Sequence, residues 1–118
     1  MVHIVRERYA NDLPIALLED YFVAEMALFD REELQSASIE TLLNARGFMT
    51  DRSDYELSAV LTDSSSSDFM DLPIGTPVIQ ESRSAHLHGV LLNFGRNTYH
   101  PLNCRLRGTD GNSIGPDI

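Results

Sequence analysis

The sequence contains no lysine, so arginine supplies all nine basic side chains among its 118 residues. Aspartate and glutamate together number 18, and the formal net charge at pH 7 is -9. A protein that grips nucleic acid needs clustered lysine and arginine against the phosphates. The composition therefore argues against DNA binding by this chain itself.

Cysteine is almost as scarce, since Cys104 is the only one. A single cysteine excludes an internal disulfide framework and a metal cluster of thiolates. A nucleophilic Cys104 would need an organised histidine partner, which no motif supplies, and the alternative is a buried structural cysteine. His86 and His88 lie two residues apart but lack carboxylate partners at short spacing. We therefore predict no bound metal and no other cofactor.

Long apolar runs are also missing from the chain. No stretch approaches the roughly 18 apolar residues that a membrane-spanning helix needs. The N-terminus has no basic segment followed by an apolar run, so no signal peptide is predicted. With 42% hydrophobic and 23% charged residues, the composition is that of one globular domain with a modest core. We expect a cytoplasmic location.

Two predicted β-hairpins dominate what the chain does contain. Residues 2–9 and 14–22 read as apolar strands around a turn, and residues 78–87 and 90–99 repeat this arrangement around His88-Gly89. Arg6 and Arg83 fall at equivalent positions of the two hairpins, 77 residues apart. A duplicated hairpin predicts one antiparallel sheet with a pocket on a pseudo-two-fold axis.

The segments between the hairpins predict helices and one more strand. Residues 23–34 read as an irregular or short helical segment broken near Asp30, where a capped turn begins, and residues 36–47 as a helix capped by Ser36 or Ser38. Residues 51–62 alternate as a strand, and residues 63–72 form either a short helix or a flexible polar loop. The predicted fold class is α+β, an antiparallel sheet with flanking helices.

Arg6 and Arg8 are the first candidate for chemistry, because residues two apart on a strand project to the same face. Paired guanidiniums bind carboxylate or phosphate bidentately. The alternative is a surface pair neutralised by acids such as Glu7 or Glu19. Ser38 starts a helix, whose free N–H groups favour anions, although simple capping needs no ligand. Together these residues predict an anion pocket.

Four stretches in order resemble the UTRA domain, the effector-binding domain of bacterial GntR-type transcription regulators of the HutC class. They are the strand of Arg6 and Arg8 running into Pro-Ile-Ala-Leu at 14–17, Tyr21-Phe22 with Ala24-Glu25, Ser-Ile-Glu-Thr-Leu-Leu at 38–43, and Leu-Pro-Ile-Gly-Thr-Pro-Val-Ile at 72–79 with Arg83. The resemblance covers residues 1–106, and the remaining residues 107–118 are expected to form a flexible tail.

The resemblance implies a chorismate-lyase-like fold, with a small effector bound between the repeated halves, and a homodimer. In full-length relatives a winged helix-turn-helix domain precedes this domain and binds operator DNA. The family's first strand and helix also normally precede the Arg-x-Arg strand, and we expect this domain to lack them. The sheet would then present an exposed edge.

The resemblance also assigns roles to single positions. Arg6 and Arg8 match arginines that hold the phosphate or carboxylate of an effector, and Ser38 matches the serine beside them. Arg83 is the repeat's equivalent of Arg6, and Tyr99 matches a tyrosine that closes the pocket. We expect a small anionic effector at these residues.

Departures from the family pattern concern the other end of the pocket. Leu18 stands where such members have a glutamate, Glu40 replaces a tyrosine, and Asn93 stands for a second glutamate. The usual Arg-Gly-Asp near the end reads His-Pro-Leu at 100–102. Glu40 near the arginines could neutralise them. We retain Glu40 and Asn93 as effector-binding candidates for a rebuilt recognition end.

The resulting hypothesis is a non-enzymatic sensor that reports an anionic metabolite to a DNA-binding domain through a dimer. Such coupling requires the effector to bind one dimer arrangement better than the other. A ligand-free dimerisation module and an enzyme of the chorismate-lyase type remain alternatives.

Overall fold

The computed structural model describes residues 2–23 and 29–109, and the backbone of residues 115–117. Five antiparallel strands form the main sheet, in the order β1-β2-β5-β4-β3. The strands are β1 (Val2–Ala10), β2 (Leu13–Phe22), β3 (Arg52–Leu61), β4 (Pro77–Leu87) and β5 (Val90–Tyr99). Three short helices accompany them, namely α1 (Arg31–Ser36), α2 (Ile39–Ala45) and α3 (Ser64–Met70).

Both predicted hairpins are confirmed, and each turns through two residues with positive φ. Asn11 and Asp12 have φ values of 50° and 66°, and His88 and Gly89 have values of 49° and 78°. Positive φ at both central positions matches the twist of the flanking strands, which is why short hairpins use such turns. The turn chemistry thus sets the register of both hairpins.

The predicted internal repeat is visible in the strand pairing. Arg6 lies opposite Leu18 in the first hairpin, and Arg83 lies opposite Gly95 in the second. The second pair is the first displaced by 77 residues in both strands. The hairpins meet through β2 and β5, where Leu18 pairs with Asn97. A pseudo-two-fold axis therefore passes between the two central strands.

Local capping explains the helices. Asp30 and Asp63 each accept a hydrogen bond from the backbone three residues later and form capping boxes with Glu33 and Ser66. The ambiguous segment at 63–72 is therefore a helix, not a loop. The predicted helix at 36–47 is shorter than expected, because Ser36 ends α1 and Ser38 caps α2.

Two apolar clusters flank the middle of the sheet. One consists of Phe22, Ile39, Leu43 and Leu92, and the other of Ile15, Ala16, Leu18, Tyr99 and Cys104. Phe22 and Leu43 are fully buried, and Cys104 is buried as well, in agreement with its predicted structural role. On the other face, Phe69 of α3 meets Tyr9 edge-on, with ring centroids 5.5 Å apart. On the face that carries the two clusters, α1 and α2 pack against the sheet and leave an open space between the clusters.

Near the end of the chain, β6 (Arg105–Arg107) pairs antiparallel with β7 (Gly115–Asp117). The flexible tail at residues 107–118 stays a prediction. Residues 110–114 and 118 lie outside the described part, as does the predicted segment at 24–28 with its Ala24-Glu25 motif. The boundary at residue 106 stays a prediction. No helix among the described residues is long and apolar enough to cross a membrane.

Candidate functional site

A cavity of about 170 Å³ lies on one face of the sheet, at the pseudo-two-fold axis. Strands β1, β2, β5 and β4 form its floor, and the start of α2 forms a wall. All seven predicted site residues line it, namely Arg6, Arg8, Ser38, Glu40, Arg83, Asn93 and Tyr99. The sheet therefore brings them together from positions up to 93 residues apart. Their role in binding an effector stays a prediction.

Arg6 serves a structural purpose in this cavity. Its Nη1 donates to the carbonyl oxygens of Leu34 and Ala37, at 3.1 and 3.0 Å, where α1 ends. Its Nη2 donates to Asp20 Oδ2 at 3.3 Å. Helix ends leave carbonyl groups without intrahelical partners, and a guanidinium can satisfy several of them. Arg6 therefore fastens the α1–α2 junction to the sheet.

Asp20 is the buried carboxylate beside Arg6, with 7% of its surface exposed. Desolvation raises the pKa of Asp20 and outweighs the opposing effects of the Arg6 charge and a hydrogen bond from Asn93. Asn93 Nδ2 also donates to the carbonyl oxygen of Tyr21 at 3.1 Å. A Cβ atom on Gly95 would lie 2.9 Å from Asp20 Oδ1, so a larger residue at this position would require the Asp20 carboxylate to shift.

We expect Asp20→Asn to change how stability depends on pH. Because the pKa of Asp20 is raised by folding, its contribution to stability is fully present below its unfolded pKa and is lost as pH rises through its folded pKa. Asparagine does not titrate, so the stability of the variant lacks this decrease with rising pH. The free energy of unfolding of the variant, minus that of the wild type, should therefore increase between about pH 3 and about pH 7 in denaturant titrations. A difference that falls over this range would contradict the raised pKa.

Glu81 forms the centre of the other half of the cavity, and it is fully buried. Arg83 Nη2 donates to its Oε2 at 3.3 Å, and Asn97 Nδ2 and the Tyr99 hydroxyl donate to its Oε1 at 3.4 and 3.5 Å. Burial, followed by the charge of Glu81, raises the pKa of Tyr99 to about 12. The phenol therefore stays protonated near neutral pH and acts as a donor.

The start of α2 supplies Ser38 and Glu40. The Ser38 hydroxyl caps the helix by accepting from Thr41 N at 3.1 Å, as the capping interpretation expected. Glu40 Oε2 lies 3.7 Å from Arg83 Nη1, and its side chain is 42% exposed. The neutralising effect considered for Glu40 thus falls on Arg83, a cation from the second hairpin.

Arg8 differs from the other two arginines of the cavity. It is half-buried, and within the described residues it makes no hydrogen bond or ion pair. Its neighbour on the same face, Arg6, is committed to helix carbonyls and Asp20. Of the three cavity arginines, Arg8 is therefore the one without a partner among the described residues.

Sequence reasoning did not select Asp20, Glu81 and Asn97, which also line the cavity. The sequence carries one signal each for Glu81 and Asn97. Glu81 lies two residues before Arg83 on one strand and so shares its face, and Asn97 is the repeat's equivalent of Asp20, displaced by 77 residues. No three histidine, cysteine, aspartate or glutamate side chains in the described parts of the chain group as a metal site.

Comparisons with known proteins concern the family and the fold of the chain. A family model described as the UTRA domain matches residues 1–103. A search of the curated proteins finds no match. The fold is similar to the ligand-binding domain of a protein assigned to the GntR family of transcriptional regulators from Bordetella bronchiseptica, with a TM-score of 0.76 and 20% identity over 91% of this chain and 70% of that one.

Two further solved structures share the fold at lower identity. A GntR-family transcriptional regulator from Enterococcus faecalis has a TM-score of 0.78 and 16% identity, covering 91% of this chain and 78% of that chain. The C-terminal domain of the histidine utilization repressor from Pseudomonas syringae has a TM-score of 0.69 and 14% identity, covering 91% and 76%. The predicted α+β, chorismate-lyase-like architecture is confirmed. The family model spans most of the chain, which therefore belongs to the UTRA domain family.

Proposed function

We propose that this chain is the effector-sensing domain of a bacterial transcription regulator of the HutC class. It binds a small metabolite with an anionic group, and it controls operator binding by a winged helix-turn-helix domain outside this sequence. As a cytoplasmic homodimer it would pass the bound state to that domain. The chain itself performs no catalysis in this proposal.

The observation that carries the proposal is the cavity on the pseudo-two-fold axis. Its volume of about 170 Å³ is smaller than the roughly 300–1,000 Å³ of pockets for drug-sized ligands, so it suits a small metabolite. Arg8 lines it without a partner among the described residues, and guanidiniums are the side chains that best hold carboxylates and phosphates. The net charge of -9 is consistent with leaving DNA to another domain.

Ligand binding by Arg8 is tested by thermal shift. We expect at least one anion from a panel of sugar phosphates, carboxylates and amino acids to raise the Tm of the wild type by several degrees, since a ligand at a hundredfold its Kd adds about 2.7 kcal/mol. Arg8→Gln should lose this shift while keeping the Tm of the unliganded protein. Arg52→Gln is the matched control, because Arg52 is 72% exposed on β3.

Dimer formation is proposed through β3, an edge strand of the sheet. Leu57 and Leu61 are 44% and 66% exposed on this strand, and Ile79 of the neighbouring β4 is 45% exposed. Alternation places these three on the cavity face. Exposed apolar patches on a sheet edge mark interaction surfaces.

We therefore expect Leu57→Glu to convert a dimer into a monomer at micromolar concentration in sedimentation experiments. The monomer should keep its far-ultraviolet circular dichroism, because Leu57 contributes little to the core. Glu56→Gln, one position along the same strand and pointing to the other face, should leave the association unchanged. An unaltered dimer in Leu57→Glu would place the interface on another surface.

The two alternatives make different predictions. A ligand-free dimerisation module would give no thermal shift with any anion, in the wild type or in Arg8→Gln. A chorismate-lyase-type enzyme would release pyruvate from chorismate. Either result would replace the sensor proposal.

A further inference from the structure

The charges that line the cavity are balanced but unevenly distributed. Three guanidiniums face three carboxylates, namely Arg6, Arg8 and Arg83 against Asp20, Glu40 and Glu81. A free anion would bring its charge into a site whose formal charge is already zero. How the ion pairs are arranged therefore decides which ligand charge is accepted.

Arg6 and Asp20 form a closed pair on the β1–β2 side, with Nη2 and Oδ2 3.3 Å apart. Arg8, on the same strand, adds one positive charge that no described acid neutralises. The first hairpin therefore presents an excess of one positive charge. A single carboxylate is enough to balance it.

The opposite side of the cavity has the reverse excess. Arg83 is shared by two carboxylates, at 3.3 Å from Glu81 Oε2 and 3.7 Å from Glu40 Oε2. One guanidinium cannot neutralise two acids, so this side carries an excess of one negative charge. Glu81 is fully buried, whereas Glu40 is 42% exposed and only loosely paired. The Glu40 carboxylate can therefore take a second cation.

The two excesses lie on different hairpins. Arg8 is on β1 and Arg83 on β4, and strands β2 and β5 separate them in the sheet. Neighbouring strands are about 4.8 Å apart, so β1 and β4 are about 14 Å apart across the floor of the cavity. The cavity thus has a positive end and a negative end.

We propose that the effector is a small zwitterion, an amino carboxylate whose carboxylate lies on Arg8 and whose ammonium group faces Glu40 and Glu81. This inference rests on the proposed sensor function and specifies its ligand class. Such a molecule carries no net charge into a neutral site, and each of its charges meets the complementary excess. Its size is limited by a cavity of about 170 Å³.

The test uses probes that share a carbon skeleton and differ only in charge. One set is 4-aminobutyrate, butyrate, succinate and butylamine, and a second set is 6-aminohexanoate, hexanoate, adipate and hexylamine. The proteinogenic amino acids and glucose 6-phosphate complete the panel. Thermal shift screens the panel, and titration calorimetry gives Kd for each probe that binds.

We expect at least one zwitterion to bind about tenfold or more tightly than the matched monoanion, dianion and amine. Arg8→Gln and Glu40→Gln should each weaken it about tenfold or more. Glu40→Gln should also reduce the preference for the zwitterion over its matched acid, which a merely structural role would not do. Glu56→Gln, an exposed carboxylate on β3, is the control and should leave Kd unchanged.

The possible outcomes separate this inference from the sensor function. If glucose 6-phosphate or a dicarboxylate binds through Arg8 and no zwitterion does, the zwitterion proposal is overturned and the sensor function stands. If a zwitterion binds with equal Kd to the wild type and Glu40→Gln, the assignment of its ammonium group is wrong. If no probe of any class binds, both proposals fail.

Discussion

Arg6→Ala is expected to destabilise the domain by about 3–5 kcal/mol, the cost of removing one partner from a buried ion pair. The side chains of Arg6 and Asp20 are only 14% and 9% exposed, so water cannot replace the lost guanidinium. The carbonyl oxygens of Leu34 and Ala37 lose their donor at the same time. Denaturant unfolding followed by circular dichroism measures the loss.

The matched control for this prediction is Arg52→Ala. Arg52 also pairs with an aspartate, Asp54, at 2.9 Å, but their side chains are 72% and 53% exposed. Exposed pairs contribute about 0–1 kcal/mol. The double variant Arg6→Ala with Asp20→Asn should recover part of the loss, because the unpaired carboxylate is then gone. A loss in Arg6→Ala no larger than in Arg52→Ala would refute the role of Arg6 as a structural clamp.

The second large effect is expected for His100→Ala, at about 2–4 kcal/mol of lost stability. His100 is 5% exposed. Its Nδ1 accepts from the backbone N–H groups of Leu102 and Asn103, both at 3.1 Å, and its Nε2 donates to the Met70 carbonyl oxygen at 3.2 Å. The imidazole therefore joins the end of β5 to the end of α3 and to the following loop.

His100→Asn tests which of these bonds matters. The asparagine side-chain oxygen can accept from the two N–H groups, but the shorter side chain does not reach Met70. We expect thermal unfolding to show that His100→Asn loses some stability relative to the wild type, but less than His100→Ala. Leu102→Ala, in the same loop and 82% exposed, should change stability by less than about 0.5 kcal/mol. Equal losses for alanine and asparagine would assign the whole effect to the bond with Met70.

Arg6 and Arg8 show which properties of a side chain the sequence predicts and which only the tertiary structure reveals. Alternation along β1 correctly placed Arg6 and Arg8 on one face, because that follows from backbone geometry alone. It could not distinguish their roles. The carbonyl groups that occupy Arg6 come from the α1–α2 junction, 28 and 31 residues further along the chain.

The buried acids show the same limit. Asp20 and Glu81 looked like ordinary charged residues on predicted strands, since burial depends on what covers a face and not on the residue itself. Asp20 is buried because Arg6 and Asn93 lie beside it and because Gly95 has no side chain to occupy the space of its carboxylate. These partners lie up to 75 residues away.

The sequence by itself determined the two hairpins, their repeat, the capping residues that start the helices as candidates, and the common face of Arg6 and Arg8. All of these depend on interactions within a few residues or on the period of a strand, so local chemistry specifies them. Only the tertiary structure decided which arginine is a clamp, which is available, and where the acids neutralise them. Those properties depend on the distances between side chains brought together from both hairpins and from α2, and no local pattern contains those distances.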